Sequence, residues 1–157
     1  MIEVFEVKAE VLKAVRFEVL WPHLHSSKEA IIDIDDSEGA IHLAGVVDSE
    51  VVGCASLFLQ DCSRYPGFFS EAKVYRLRAM GVLDSVRGTG VGTEIIEKAE
   101  LLCSENGANV IWCDAREIAW GFYSKNGFVY ASCENGYDCE AYQVRNVGIH
   151  KMMYKNI

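Results

Sequence analysis

The chain has 157 residues, half of them apolar and 24% charged, with a formal net charge of −8 at pH 7. Such a length fits a single domain, residues 1–157, that buries roughly 70% of the surface its unfolded chain exposes. The composition excludes a disordered chain, the acidic balance argues against nucleic acid as a partner, and no apolar run approaches the ~18 residues of a membrane span.

Met1-Ile2-Glu3-Val4 lacks the basic-then-apolar pattern of an export signal, so a cytoplasmic protein is expected. The six cysteines (54, 62, 103, 113, 133 and 139) form no C-x-x-C pair and read as buried free thiols. A Cys133–Cys139 bridge would run against the cytoplasmic setting. His23, His25, His42 and His150 are too scattered for a metal site, and none is expected.

In chain order, residues 1–7 read as a short strand. Residues 9–20 carry Val11, Leu12, Val15 and Val19 near helical spacing and stop at Trp21-Pro22. The polar segment 23–30 is a helical turn or a loop. Two β-branched runs, 40–47 and 51–60, flank Asp48-Ser49-Glu50 and predict a hairpin. Residues 61–71, with Pro66-Gly67, read as a loop, and 73–83 as a third long strand in which Gly81 is a candidate bulge. The stripe Ile95, Ile96, Ala99, Leu102 and Cys103 predicts a helix over 93–106, stopped by Gly107. Residues 110–113 follow as a buried strand parallel to 73–83, because a helix crosses between them. A helix over 117–126, a strand over 128–132, a polar aromatic stretch over 135–146 and a strand over 147–155 complete the chain. The order predicts an α/β mixed sheet with helices on its faces.

Between strand 73–83 and helix 93–106 lies Val86-Arg87-Gly88-Thr89-Gly90-Val91-Gly92-Thr93. Its glycines let the backbone approach a ligand with no Cβ in the way, and the orphan amides and positive dipole end of the following helix suit phosphate oxygens. Arg87 adds a cation. A P-loop would need a Lys beside Thr93, which is missing. A dinucleotide turn has Gly88-x-Gly90 and Asp114 in its favour, but Thr93 replaces the third Gly and Asp84 to Arg87 lengthen the turn. The third pattern, Arg-x-x-Gly-x-Gly through Arg87, Gly90 and Gly92, resembles the coenzyme A pyrophosphate loop of the GNAT superfamily of N-acetyltransferases.

That resemblance extends over about residues 75–154. Leu77-Arg78-Ala79-Met80-Gly81-Val82, the loop, Ala115-Arg116-Glu117-Ile118-Ala119, Phe122-Tyr123 with Gly127-Phe128, and Gly148-Ile149-His150 with Met153 look like one subgroup of small bacterial-type acetyltransferases. Arg16, Leu20-Trp21-Pro22 and His42 add a weaker match. The resemblance implies a GNAT-like mixed sheet, helices on both faces and two central parallel strands that splay. It implies transfer of an acetyl group from acetyl-coenzyme A (acetyl-CoA) to a primary amine of a small molecule or protein. By it, Met80, Gly81 and Val82 hold the pantetheine arm, and Arg87, Gly88, Thr89, Gly90, Val91, Gly92 and Thr93 hold the pyrophosphate.

Tyr123, by the same resemblance, is the general acid for the leaving thiolate, and a phenol is protonated at pH 7. Histone-acetylating members carry a Glu base where strand 73–83 has Arg76 and no acid, so Asp114, Glu117, His42 and His150 are the base candidates. Arg116 stands where many members carry Asn. Arg78 and Arg116 either clamp a carboxylate or phosphate of the acceptor or form ion pairs. A non-catalytic acyl-CoA sensor and a dinucleotide oxidoreductase are the alternatives, and analogy with the family suggests a homodimer.

Overall fold

The computed structural model describes residues 1–70, 72–132, 140–145 and 147–157. Its strands are β1 (Ile2–Glu6), β2 (Ile41–Val47), β3 (Glu50–Leu59), β4 (Val74–Val82), β5 (Val110–Arg116), β6 (Val129–Tyr130), β7 (Tyr142–Val144) and β8 (Gly148–Asn156). Among the described residues, three α-helices accompany them: α1 (Lys13–Val19), α2 (Val91–Glu105) and α3 (Trp120–Lys125). The strands form an open mixed sheet in the order β1-β2-β3-β4-β5-β8-β6, with β7 also paired to β8. The chain folds as two compact units, Met1–Phe58 with Leu77–Leu102, and Leu59–Arg76 with Cys103–Ile157. The divisions fall inside β3, β4 and α2, which is why the sequence offers no linker to mark them.

In the first unit, β1 runs antiparallel to β2 from Ile2↔Val47 to Glu6↔Leu43, and β2 runs antiparallel to β3. Asp48 and Ser49, at φ 51° and 66°, form a two-residue turn with both centres left-handed, which matches the strand twist of a hairpin. The core here gathers Leu12 and Val15 against Ala44 and Cys54, with Val19, Leu20 and Leu83 packed on it. The helix expected over 9–20 divides: Ala9–Leu12 is a tighter 3-10 turn, and only Lys13–Val19 is α-helical. Gly81 has a different reason from the expected bulge. A Cβ there would lie 2.8 Å from Val19 Cγ1, so the glycine admits α1, while the irregular backbone falls at Ala79, with φ 50°.

Arg16 is fully buried on α1. Its Nη1 donates to Asp35 Oδ2 and to Ala30 O, and its Nη2 donates to Asp35 Oδ1 and to Ser56 Oγ. Ser56 Oγ also lies 2.7 Å from His42 Nδ1, and His42 Nε2 lies 2.8 Å from Asp35 O. A backbone carbonyl only accepts, so Nε2 carries the hydrogen. Nδ1 then accepts the Ser56 hydroxyl in the neutral imidazole. This network ties the aperiodic stretch after α1 to the β2–β3 floor.

In the second unit, β5 pairs antiparallel with β8 over seven positions, from Val110↔Asn156 to Arg116↔His150. Its parallel pairing with β4 covers only Val74↔Val110, Tyr75↔Ile111 and Arg76↔Trp112. Cys62, Phe68, Val74, Val110, Trp112, Ala131 and Met152 make the core. Strand β5 runs three residues beyond the expected 110–113, and the helix expected over 117–126 is a 3-10 turn, Glu117–Ala119, followed by α3. The polar stretch 135–146 contributes β7; its residues 135–139 and 146, and Cys133 and Cys139, lie outside the described residues. Cys54, Cys62, Cys103 and Cys113 are buried thiols. Among the described residues, no helix is long and apolar enough to cross a membrane, and no group of three or more His, Cys, Asp or Glu side chains could hold a metal.

Candidate active site

In the first unit the glycine-rich loop has the backbone its sequence requires. Gly88 and Gly90 adopt φ 78° and 100°, which L side chains rarely take, and a Cβ at Gly88 would meet only open space. Helix α2 starts at Val91, two residues ahead of the expected 93, and its first backbone bond is Glu94 N–H to Gly90 O at 3.0 Å. The amides of Val91, Gly92 and Thr93 precede that bond and have no acceptor within the helix. They coincide with the dipole's positive end, beside an exposed glycine turn. Arg87 is exposed and pairs with Asp84 at 3.0 Å, a surface contact that an incoming anion can displace at little cost. Thr89 Oγ1 donates to Val86 O at 2.5 Å and braces the turn.

Two further glycines set the height of this loop. A Cβ at Gly45 would lie 2.9 Å from Val91 Cγ1, and one at Gly53 would lie 3.0 Å from Val82 Cγ1 and 3.1 Å from Val91 Cγ1. Val82 ends β4 and Val91 begins α2, so the two stretches assigned to pantetheine and pyrophosphate converge on one bare spot of β3. Met80, Gly81 and Val82 are half-buried there, as is Arg78.

The second unit carries the remaining candidates, on two faces. Tyr123 is buried on α3 between the rings of Phe122 and Phe128, each with its centroid 5.3 Å away. Burial pushes its phenol well above the ordinary range; Cys113 adds to this and Arg116 opposes it. The next residue on β5 points the other way. Asp114 receives Arg64 Nη1 at 3.0 Å, Arg64 Nη2, and Arg76 Nη2 at 2.9 Å. Arg76 lies 4.9 Å from the Trp112 ring and Arg64 4.5 Å from that of Tyr142. The Tyr142 phenol is pushed up by burial and by Asp114, to which it hydrogen-bonds.

By register, Asp114 sits opposite Met152 and Arg116 opposite His150, and His150 is paired in turn with Tyr142. The Tyr142 and His150 rings lie 5.9 Å apart. One face therefore gathers Arg76, Asp114, Arg116, Tyr142 and His150.

The base candidates separate on this geometry. His42 is spent in the Arg16 network, and the Asp114 oxygens are taken up by two guanidiniums; neither is placed to take a substrate proton. Glu117 is exposed in its turn. His150 is buried, and its Nδ1 donates to Gly148 O at 3.1 Å, which leaves Nε2 as the acceptor nitrogen. Asp114 is paired with Arg64 and Arg76. Arg64 sits in an aperiodic loop and carried no signal. Arg76 was legible only as the residue in place of a Glu.

A family model described as the acetyltransferase (GNAT) family matches residues 9–128. The chain belongs to that family. Over its whole length it is 31% identical to the uncharacterized N-acetyltransferase YitI of Bacillus subtilis, covering 97% of that protein. Among solved structures, Escherichia coli ElaA superposes with a TM-score of 0.72 at 18% identity, with 99% of each chain covered. An aminoglycoside 6'-N-acetyltransferase complexed with coenzyme A gives 0.70 at 19% identity, with 99% of this chain and 96% of that one covered. These likenesses agree on a GNAT fold and make the protein a GNAT-type acyltransferase, a family that uses acetyl-CoA. The dinucleotide oxidoreductase alternative is thereby removed.

Proposed function

We propose that this GNAT protein transfers the acetyl group of acetyl-CoA to a primary amine by direct attack on the thioester. The observation that carries the reading is the loop Arg87 to Thr93: two left-handed glycines, three helix-start amides and a displaceable arginine form a seat for a pyrophosphate. Met80, Gly81 and Val82 would line the pantetheine arm on the strand that feeds this loop. When bound, the thioester supplies an activated acetyl group.

Within the second unit, His150 Nε2, the ring nitrogen left to accept when Nδ1 donates to Gly148 O, is the base that takes the proton the acceptor amine loses as its lone pair attacks the thioester carbon. Tyr123 is the donor to the departing sulfur. Its raised pKa keeps the proton in place at any physiological pH but also makes it a weaker acid than a thiol. Its contribution is therefore a hydrogen bond that strengthens as charge develops on sulfur, with transfer completed only as that charge appears. The rings of Phe122 and Phe128 pack against that of Tyr123.

The test is a thermal shift with acetyl-CoA, followed by thiol release across a panel of amines, amino acids and peptides. Ligand at ~100 times its dissociation constant adds about 2.7 kcal/mol, several degrees in a domain of this size. No shift would overturn the reading. A shift without turnover on any acceptor would mark an acyl-CoA sensor instead.

A further inference from the structure

Arg64, Arg76 and Tyr142 form a donor-rich cradle around Asp114 whose arithmetic does not close. Two guanidiniums bring ten N–H donors and two positive charges to one carboxylate. Asp114 is satisfied several times over, by both Nη atoms of Arg64, by Arg76 Nη2 and by the Tyr142 hydroxyl. Arg76 is not. Its Nε is buried with no acceptor among the described residues, and its Nη1 makes a 3.4 Å contact with Gln60 Oε1. A local charge of +1 thus persists in a chain whose net charge is −8.

Exposure runs in the direction of a ligand from solvent. The Arg64 side chain is 36% exposed and that of Arg76 22%, against 10% for Asp114. An approaching anion therefore meets the guanidiniums, while Asp114 holds them from below. Arg64 is further fixed by aromatic rings, Tyr65 at 5.5 Å and Tyr142 at 4.5 Å. Rings and carboxylate together spare the side chain the entropy of finding one geometry on binding. Tyr142 then links the cradle to His150, its neighbour on β8.

We infer that Arg64 and Arg76 form the acceptor-recognition site and that the acceptor carries a carboxylate as well as the amine to be acetylated, as an amino acid does. Asp114 is a positioning residue: its planar, two-oxygen group already occupies the inner side of the same two guanidiniums. Gln60 is the exchangeable partner, whose weak contact an incoming carboxylate oxygen replaces. Arg64 and Arg76 bind, and take no part in bond making. The inference rests on the acetyltransferase reading above and specifies its substrate class.

A paired acceptor panel tests it. Amino acids and the amines left by removing their carboxyl group are each offered with acetyl-CoA, and thiol release is followed for the wild type, Arg64→Gln, Arg76→Gln and the charge-retaining Arg64→Lys. Carboxylate-bearing acceptors should exceed their decarboxylated partners by about tenfold or more in kcat/KM. That ratio should collapse toward one in both Gln variants and recover in part in the Lys variant, while the acetyl-CoA melting shift persists in all of them. Equal kcat/KM within pairs, or a ratio the Gln variants leave unchanged, overturns the proposal. If acetyl-CoA raises the melting temperature but no amine is turned over, N-acetyl amino acids are titrated against their amides; indistinguishable binding overturns it equally. Absence of any acetyl-CoA shift fails the underlying reading, and the inference with it.

Discussion

Arg16 and Asp35, 19 residues apart, meet through two parallel hydrogen bonds, Nη1 to Oδ2 at 2.8 Å and Nη2 to Oδ1 at 2.9 Å. The Arg16 side chain is fully buried and that of Asp35 is 9% exposed, so removing either one leaves the other without its charge partner. Arg16→Met should therefore cost about 3–5 kcal/mol of stability, measured by urea unfolding. Because the pair anchors the stretch beyond α1, part of that loss should appear as local proteolysis of residues 23–38.

The same pair sets an acid limit. Burial alone would raise the Asp35 carboxyl, but hydrogen bonds from Arg16 and the Ile32 amide, with the Arg16 charge, leave it below the ordinary carboxylate value. A depressed folded-state pKa adds stability that is present above the unfolded value of 3.8 and is lost as pH falls through the lower folded one. Melting temperature followed from pH 7 to pH 2 should fall in that window. In Asp35→Asn the midpoint should be lower at neutral pH, and the part of the acid slope due to this residue should be absent.

Tyr123→Phe should keep the acetyl-CoA melting shift and lose roughly 10²-fold in turnover, because it removes only the hydroxyl proposed as donor to sulfur. Single-turnover kinetics check this where product release would otherwise hide the chemical step. Unchanged turnover would remove Tyr123 from the mechanism.

His150→Gln should lower kcat by a similar factor of about 10² with the acetyl-CoA shift retained. His42→Gln discriminates between the histidines: its loss should register in stability, because its ring serves the Arg16 network. If the two variants exchanged these phenotypes, the base assignment would fall.

Gly53→Ala would place a Cβ 2.9 Å from Ile95 Cδ1 and 3.0 Å from Val82 Cγ1. Overpacking of this kind costs about 1–3 kcal/mol. Here it should also lift the start of α2, so coenzyme affinity should weaken beyond what stability alone accounts for. Isothermal titration with coenzyme A is the check.

Much of the fold was legible because periodic patterns are local. The β2–β3 hairpin announced itself through two β-branched runs around Asp48-Ser49, and α2 through the stripe that buries Ile95, Ile96, Ala99 and Cys103. The backbone of the glycine-rich loop was legible for a related reason: the residues that shape it are adjacent in the chain. The Arg64–Asp114 cluster was not, since the two residues are 50 positions apart and Arg64 lies where no period operates. Gly81 misled for the opposite reason. A glycine in a strand signals either a bulge or a close neighbour, and only tertiary packing tells Val19 from a kink.

Trp112 is almost wholly buried, donates its Nε1–H to Gln60 O at 2.7 Å, and carries the Arg76 guanidinium 4.9 Å from its ring. The guanidinium is a group that an acceptor carboxylate would engage, and Gln60 is the residue whose side chain it would displace. The indole is thus a built-in optical reporter: with Trp21 and Trp120 replaced by Phe, its emission should respond to acceptor and stay silent to decarboxylated amines. The protein could then be screened for its substrate by light, before any acetyl group has moved.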